Sequence, residues 1–416
     1  MSGGASLSTV SGHMVTLGKP IAYGGQGEIR DATLSRGKRK GVVKLFKKPF
    51  RNPSTRRRIE FLIDSKLSQK CPVICCPTEL IASNGELGHF TPFANGISLE
   101  QKLLAGDITL VQGIQLALAT ARAGEVLHEQ DISHGDLHSE NILVETGEEN
   151  VLISHLIDLD NFGAPGQPPP DMIGQNLYLA PEQRIAISKG EKATPDIFTD
   201  RFSLGVLIHE ILLLKHPATG ADDDESSFQQ AMSEGRWLHD PENGGSLLDT
   251  FGGYPSGIIG PDLSRMFRRS MSLDRETRPT PKEWKQSLQF VLNNVYTCPH
   301  CSGTFIANPY SFVCSHCKQS FPTLYLHPLK GNHIVLDKAA IAIGREHIGG
   351  DPTVSARHAI FRRKGSLTFI ESRGRNGTFR WDGLRWIHLP DNSPILVQDG
   401  DRLRFGSLEV ELKENR

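Results

Sequence analysis

The chain has 416 residues, with 46 Lys and Arg against 47 Asp and Glu, which gives a formal net charge of −1 at pH 7. A charged fraction of 22% and a hydrophobic fraction of 38% exclude a wholly disordered or fibrous protein. The balanced charge gives no general reason to expect a nucleic acid or membrane partner, and the longest apolar run, 206–214, is too short and too charged to span a bilayer. The first residues lack a basic segment followed by an apolar one, so we expect no secretory signal and a cytoplasmic location.

Three blocks follow one another along the chain. Residues 14–292 begin with strand-like runs and continue with helical periodicity, which indicates one large α+β unit. Residues 296–322 form a short block rich in Cys, Pro and His. Residues 323–416 contain short β-type runs separated by Gly, Asp and Asn turns, a spacing typical of an all-β sandwich. We therefore predict a multidomain chain made of these three units.

The first block opens with a glycine-rich turn, Gly24-Gly25-Gln26-Gly27, between two predicted strands. Its small residues allow backbone N–H groups to approach phosphate oxygens, although such glycines also form plain hairpins. Lys44 follows inside the apolar run 42–46, where a buried ammonium group needs an anionic partner. Glu60, in the predicted helix around 57–63, is the candidate for that partner.

The segment 132–144 carries the strongest chemical signal. Asp136 and Asn141 belong to a loop that leads into a strand, and Asp158 directly follows the next predicted strand, 152–157. A carboxylate that accepts a hydroxyl proton, together with amide and carboxylate oxygens for Mg²⁺, is what phosphoryl transfer requires. Asp160 is the alternative metal ligand, but the strand runs directly into Asp158, which favours the earlier residue.

With these residues in this order, the first block resembles the eukaryotic-type protein kinases, and specifically their bacterial members. The resemblance implies a bilobal fold that uses ATP and Mg²⁺. It assigns phosphate binding to the loop glycines and Lys44, the ion pair with Lys44 to Glu60, the gatekeeper position to Thr91, the catalytic base to Asp136, and the metal ligands to Asn141 and Asp158. It also predicts that Glu182 of the motif Ala180-Pro181-Glu182 pairs with Arg278.

Departures from the kinase pattern carry information. Gly135 stands where regulated kinases have an Arg that receives a phosphorylated activation loop, and no Ser or Thr occurs between Leu159 and Ile187. We therefore predict a kinase that is not activated by Ser/Thr phosphorylation of its own loop. His138 and Gln175 also depart from the Ser/Thr kinase pattern, and His138 is either a structural or a catalytic imidazole.

The second block contains two C-x₂-C pairs, Cys298 with Cys301 and Cys314 with Cys317. Four thiolates at this spacing suit tetrahedral Zn²⁺ in a unit too small to fold on apolar burial alone. We predict a structural zinc ribbon whose small core uses the phenylalanines 305, 312 and 321.

The third block places polar groups in separate loops between predicted strands: Arg345, Ser355 and Asn376. A cation, a hydroxyl and an amide at one end of a sandwich could hold a phosphate and a peptide backbone. In this order they resemble a forkhead-associated (FHA) domain. The resemblance implies that Arg345 and Ser355 bind phosphothreonine, that Asn376 holds the peptide main chain, and that His358 braces the loops.

The sequence is compatible with three functions. The first is an ATP/Mg²⁺-dependent Ser/Thr protein kinase that acts on a protein substrate and recognises phosphothreonine on a partner or on itself. The second is a pseudokinase scaffold that only binds phosphopeptides, and the third is a small-molecule kinase, indicated only by His138 and Gln175. Similar bacterial kinases work beside a von Willebrand-A protein and a metal-dependent phosphatase in stress or phage response, so we expect such partners and no nucleic acid.

Overall fold

The computed structural model describes most of the chain, and the described residues divide into two compact units. Unit 1 comprises residues 1–253 and 265–288, and unit 2 comprises residues 254–264 and 289–416. The described residues are 5–147, 151–170, 174–220, 224–248, 252–292, 294–298, 300–306, 314–319, 324–328, 334–336, 339–364 and 367–414.

Unit 1 begins with an antiparallel sheet of strand order β1-β2-β3-β4-β6-β5. Its strands are β1 (Ser6–Ser8), β2 (Met14–Tyr23), β3 (Gly27–Leu34), β4 (Arg39–Phe46), β5 (Glu79–Ser83) and β6 (Glu86–Pro92). The sheet is held by an apolar cluster that includes Val15, Val43 and Phe90. In β4 the lack of a side chain at Gly41 is needed, because a Cβ there would lie 2.3 Å from the Phe90 ring.

Helix α1 (Pro53–Ser65) packs beside this sheet. Its N-terminus is capped by Asn52, whose side chain accepts a hydrogen bond from the N–H of Thr55, with proline at the first helical position. The helix ends where Lys66 adopts a left-handed conformation with φ of 52°. Helix α2 (Leu67–Lys70) follows directly.

The remainder of unit 1 is mainly helical, with one small sheet of order β7-β8-β9. Its elements are β7 (Ile97–Ser98), α3 (Leu99–Ala105), α4 (Leu110–His128), β8 (Ile142–Thr146), β9 (Leu152–Leu156), α5 (Pro181–Ser188), α6 (Ile197–Leu213), α7 (Glu225–Ser233), α8 (Gly260–Ser270) and α9 (Pro281–Leu292). The last two helices each extend past a boundary of the unit. Nearly every side chain of α6 is buried, so this helix forms the centre of the core.

An ion pair between distant parts of the chain braces the helical part. Both Nη atoms of Arg278 donate to the Glu182 carboxylate at 2.8 Å, and the Arg278 side chain is fully buried. Two parallel hydrogen bonds of this type are among the stronger polar contacts in proteins. The pairing predicted from the sequence is therefore present.

Unit 2 contains, besides residues 254–264, the short hairpin of β10 (Val295–Thr297) and β11 (Thr304–Ile306) and a β-sandwich. One sheet has the order β13-β12-β21-β20-β17-β18 and the other β14-β15-β16-β19. Their strands are β12 (Leu324–Pro328), β13 (Ile334–Val335), β14 (Ala340–Ile343), β15 (Ala359–Lys364), β16 (Leu367–Ser372), β17 (Thr378–Trp381), β18 (Trp386–His388), β19 (Pro394–Val397), β20 (Arg402–Phe405) and β21 (Leu408–Glu414). Side chains of both sheets, among them Phe361 and Phe405, share one buried apolar core.

Among the described residues, none of the helices combines the length and the apolar character needed to cross a bilayer.

Candidate functional site

Lys44 lies in the middle of β4, and its buried ammonium group contacts two carboxylates. Nζ is 3.1 Å from Oδ1 of Asp158 and also forms an ion pair with Asp160. Burial alone would lower the pKa of Lys44, but the carboxylates of Asp160 and Asp158 outweigh it and raise that pKa above its usual value. Lys44 is therefore held in its charged form next to Asp158.

The two carboxylates differ in how accessible they are. The side chain of Asp158 is 36% exposed, whereas that of Asp160 is 8% exposed. Asp160 is also contacted by His89, whose Nε2 lies 3.3 Å from Oδ1. Although burial opposes ionisation, Lys44 and His89 hold the pKa of Asp160 well below its usual range. The two oxygens of Asp160 are thus occupied by contacts with Lys44 and His89. Asp158 is the carboxylate left available to a metal ion.

Glu60 requires a correction, because the structure does not form the predicted pair between it and Lys44. Glu60 Oε1 instead accepts a hydrogen bond from Arg56 one turn earlier at 2.9 Å, and its side chain is 45% exposed. The physical reason is the rotation of α1 about its axis. Its buried side carries Thr55, Arg58, Ile59 and Leu62.

The glycine-rich turn joins β2 to β3. The N–H of Gly24 donates to the carbonyl of Gly27 at 2.8 Å, and Gly24 and Gly25 are exposed. At Gly27 a Cβ would lie 2.4 Å from the carbonyl oxygen of Leu45, so β4 approaches too closely for any side chain. Thr91 lies in β6 directly across from Val42 of β4 and is buried. The turn therefore exposes backbone groups without side chains next to one end of β4.

Asp200 of α6 holds the loop that precedes β8. Its carboxylate accepts the backbone N–H groups of His134 at 2.6 Å and Gly135 at 3.0 Å. His134 in turn contacts the carbonyl of Ile157 through Nε2 at 2.9 Å. These bonds fix the backbone directly before Asp136 and join it to the backbone directly before Asp158.

Asp136 and Asn141 are oriented by neighbouring polar groups. Asp136 Oδ1 accepts the N–H of Gln175 at 3.0 Å, and Oδ2 accepts from Asn161 Nδ2 at 3.1 Å. Asn141 Nδ2 donates to the carbonyl of Asp136 at 2.8 Å. This use of the amide nitrogen leaves Oδ1 of Asn141 as an oxygen that could bind a metal ion.

His138 contacts the same group of residues. Its Nε2 lies 2.9 Å from Asn141 Nδ2 and 3.5 Å from Asp136 Oδ1. Burial lowers the pKa of His138, although Asp136 acts in the opposite direction. A neutral imidazole that supports Asn141 matches the structural interpretation of this residue better than a cation.

Tyr178 is the only hydroxyl-bearing residue between Leu159 and Ile187. Its side chain is buried, its hydroxyl donates to Glu210, and its oxygen lies 3.1 Å from the hydroxyl of Ser139. The hydroxyl is therefore occupied within the core.

The four cysteines of the second block come together. Their sulfur atoms all lie within 4.8 Å of one another, with Cys298 and Cys317 at 3.7 Å and Cys301 and Cys314 at 3.8 Å. A tetrahedral zinc ion with bonds of about 2.3 Å would require sulfur–sulfur distances of about 3.8 Å. The cluster therefore fits a zinc ribbon. Of the predicted core aromatics, Phe305 is buried, and residues 312 and 321 lie outside the described residues.

Arg345 and Ser355 lie in loops at one end of the sandwich. Arg345 is exposed, and its Nε donates to the carbonyl of Val354 at 2.9 Å. The hydroxyl of Ser355 accepts the N–H of Arg375 at 3.0 Å. These contacts bring the guanidinium and the hydroxyl to the same loop cluster.

Asn376 belongs to the same loop cluster, and the buried His358 supports the backbone of these loops. Asn376 Nδ2 donates to the carbonyl of Thr353 at 2.8 Å. The buried His358 accepts the N–H of Ser355 at Nδ1 and contacts the carbonyl of Gly377 through Nε2 at 2.9 Å. The predicted cation, hydroxyl and amide are therefore collected at one end of the sandwich.

Comparison with known families decides the identity of the larger block. The sequence model of the protein kinase domain matches residues 15–290, and that of the FHA domain matches residues 327–406. The chain belongs to the protein kinase family. It also carries an FHA domain.

Named relatives are similar to parts of the chain. The serine/threonine-protein kinase PknD of Protochlamydia amoebophila is 28% identical over 254 residues, which cover 53% of this chain and 25% of that protein. A probable serine/threonine-protein kinase of Streptomyces coelicolor is 25% identical over 226 residues, covering 52% of this chain and 33% of that protein. The ovarian-specific serine/threonine-protein kinase Lok of Drosophila melanogaster is 26% identical over 196 residues, covering 45% and 36%. The chain thus spans about a quarter to a third of the length of these relatives.

Sequence reasoning missed three residues of the kinase site: Arg58, His89 and Asn161. Arg58 donates to backbone carbonyls of the segment after Asp158, His89 contacts Asp160, and Asn161 contacts Asp136. The alternation of β6 could have placed His89 beside Lys44, since the two residues are directly opposite each other in neighbouring strands. Arg58 gave no signal, because it is one of three consecutive arginines.

Proposed function

We propose that this chain is an ATP- and Mg²⁺-dependent Ser/Thr protein kinase that recognises phosphothreonine through its FHA domain. The observation that carries the proposal is the 3.1 Å contact between Lys44 Nζ and Asp158 Oδ1, because these groups are 114 residues apart in the sequence. Asp136 and Asn141 are joined to the same loops by hydrogen bonds. A phosphate-binding cation, metal-binding oxygens and a proton acceptor are thus collected at one site.

The residues present fit a nucleotide and magnesium. Asn141 and Asp158 offer an amide oxygen and a carboxylate, the hard oxygen ligands that Mg²⁺ prefers. Lys44 supplies a fixed positive charge for phosphate oxygens, and the exposed backbone at Gly24 and Gly25 supplies N–H groups. When bound, Mg²⁺-ATP supplies the phosphoryl group and neutralises the charge that develops during its transfer.

Asp136 would accept the proton of the attacking Ser or Thr hydroxyl. Its two oxygens are held by the N–H of Gln175 and the amide of Asn161, so the carboxylate has one fixed orientation. Fixed orientation lowers the barrier because the reacting groups need not be arranged during the reaction. The hydrogen bonds between Asp200 and the backbone before Asp136 support that geometry.

The FHA domain would bind a phosphothreonine on a partner protein or on another copy of this chain. Arg345 would pair with the phosphate, Ser355 would donate its hydroxyl to it, and Asn376 would bind the peptide main chain. The convergence of these three side chains at one end of the sandwich supports the assignment. We further propose that the four cysteines hold a structural Zn²⁺, and that the units are the kinase domain 14–292, the zinc ribbon 296–322 and the FHA domain 323–416.

The setting that we propose is bacterial signalling or stress response in the cytoplasm. The bacterial Ser/Thr kinases among the relatives support a signalling role. Zinc-binding thiolates and the use of ATP suit a reducing compartment. A von Willebrand-A protein and a metal-dependent phosphatase are the proposed partners, and no nucleic acid or membrane is expected.

One experiment separates this function from that of a pseudokinase scaffold. The purified chain and candidate substrate proteins are incubated with radiolabelled ATP, using wild type, Asp136→Asn and Arg345→Ala. We expect label in protein that is lost with Asp136→Asn, and phosphothreonine-peptide binding that is lost with Arg345→Ala. Absence of label from wild type, with peptide binding intact, would favour the scaffold. Label in small molecules alone would favour a small-molecule kinase, the function indicated by His138 and Gln175.

A further inference from the structure

The carboxylate that pairs with Lys44 comes from the segment after β9 and not from α1. The ammonium of Lys44 contacts Asp160, whose second oxygen is contacted by His89. His89 and Lys44 are cross-strand neighbours in β6 and β4, so the three side chains form a compact buried group. A buried ammonium without a carboxylate would be strongly unfavourable.

Helix α1 presents no carboxylate to this group. Its acidic residues are Glu60 and Asp64; Glu60 pairs with Arg56, and Asp64 is exposed. Glu60 follows Arg58 by two positions, which places it about 200° further around the helix axis. Turning Glu60 inward would therefore remove Ile59 and Leu62 from the apolar core.

On the buried side of α1 stands Arg58, which contacts the backbone of the segment after β9 and not Lys44. Arg58 is buried and donates through Nη2 to the carbonyls of Asp160 at 2.8 Å and Phe162 at 2.6 Å. Its guanidinium also lies over the Phe162 ring, with Cζ 4.1 Å from the ring centroid. Arg58 thus fixes the backbone that carries Asp160.

We propose that Asp160 is the positioning residue for Lys44, and that Arg58 holds Asp160 in place through the backbone of its segment. In this arrangement the carboxylate that orients the phosphate-binding lysine of β4 comes from the fixed segment after β9, and the ion pair does not depend on a carboxylate from α1. This inference rests on the proposed kinase function. It specifies how the site is assembled without a phosphorylated activation loop.

The first test needs no activity and uses thermal unfolding of the full chain. Asp160→Asn should lower the melting temperature by about 5 °C or more, because the buried ammonium of Lys44 loses the more buried of its two carboxylate partners. In the Lys44→Met background the same change should cost much less, since the ammonium is gone. The proposal would be overturned if Asp160→Asn lowered the melting temperature equally with and without Lys44→Met. It would also be overturned if the effect of Glu60→Gln on the melting temperature depended on the presence of Lys44.

The second test is the kinetics of phosphate transfer. Asp160→Asn should raise KM for ATP about tenfold and lower kcat about 100-fold, as expected for a misplaced phosphate ligand. Asp160→Glu should recover part of both losses, which a mere loss of folded protein would not explain. Asp64→Asn, the matched control on α1, should change neither constant.

The outcomes of the two tests keep this inference separate from the proposed function. A larger increase in KM with Glu60→Gln than with Asp160→Asn would contradict the role of Asp160. A wild-type chain that transfers no phosphate would contradict the proposed function, while the unfolding cycle would still measure the pairing of Lys44 with Asp160.

Discussion

The surroundings of Gly135 explain at the residue scale why no arginine precedes Asp136. Its φ is +77°, and a Cβ there would lie 2.1 Å from the carbonyl oxygen of Asn161. Both the backbone conformation and the lack of space exclude a side chain. The carbonyl that blocks the position belongs to Asn161, the residue whose amide holds Asp136.

Gly135→Ala tests the close approach of the Asn161 carbonyl to Gly135, and Gly166→Ala is the matched control. We expect Gly135→Ala to destabilise unit 1 by about 3 kcal/mol or more, from left-handed backbone strain plus displacement of the Asn161 backbone. Gly166→Ala, at a glycine with φ of +73° and nothing within 4 Å of the added Cβ, should cost only about 1 kcal/mol. Denaturant unfolding measures both changes, and equal costs would show that strain alone explains Gly135.

Glu210 in α6 is a buried carboxyl group next to the Tyr178 hydroxyl. Burial raises its pKa from 4.5 to about 7, and the hydrogen bond from Tyr178 opposes that shift. The folded state therefore binds a proton that the unfolded state releases between pH 4.5 and about 7. The stabilising contribution is complete below pH 4.5 and is lost as the pH rises through about 7.

Glu210→Gln should remove this part of the pH dependence. Relative to wild type, the variant should gain up to about 3 kcal/mol of stability between pH 4.5 and pH 8, because the amide does not ionise. Unfolding free energies measured across that range provide the comparison. A difference between the two proteins that is independent of pH would contradict the raised pKa.

At the scale of elements, α1 is fastened to the segment after β9 by Arg58. Arg58→Met keeps most of the buried aliphatic volume but leaves the carbonyls of Asp160 and Phe162 without their donor. We expect a loss of about 2–4 kcal/mol in the unfolding free energy and a marked loss of phosphate transfer. Arg57→Met, at the exposed neighbouring position, should change stability by no more than about 0.5 kcal/mol. Similar effects of both substitutions would contradict the anchoring role.

The elements that could be predicted from the sequence are those whose pattern is local. Strands β14, β16 and β19 to β21 follow apolar runs bounded by turn residues, and the loop from Asp136 to Asn141 is defined by its motif. Short strands such as β13 and β18 were not predicted, because two or three residues carry too little pattern.

The pairing of Lys44 could not be predicted, because it depends on how α1 is rotated. The sequence around Glu60 has a cation at Arg58 and apolar residues at Ile59 and Phe61, so several faces could have turned inward. Packing of Ile59 and Ile63 against residues of the sheet selected one of these faces. The sequence indicated Asp160 as a possible metal ligand but not as the partner of Lys44. Only the tertiary structure brings Asp160 into contact with Lys44 of β4.

At the scale of the whole molecule, unit 2 combines the cysteine cluster and the sandwich. We expect one zinc ion per chain, measured by metal analysis of the purified protein, because the sulfur positions fit a closed tetrahedral site. Removal of the ion with a chelator should lower the melting temperature of unit 2, since metal binding contributes to the folding of such small units. Cys301→Ser should reproduce this loss, whereas Cys71→Ser, which alters a cysteine of unit 1, should keep full zinc content.

The proposed kinase function requires that residues far apart in the sequence surround one magnesium-bound nucleotide. The most direct measurement is a crystal structure of the full chain with Mg²⁺ and a non-hydrolysable ATP analogue. We expect Lys44 Nζ in contact with phosphate oxygens, Mg²⁺ bound at about 2.1 Å by Asn141 and Asp158, and Asp160 still paired with Lys44. A nucleotide bound elsewhere, or a magnesium ion without Asp158 among its ligands, would contradict it.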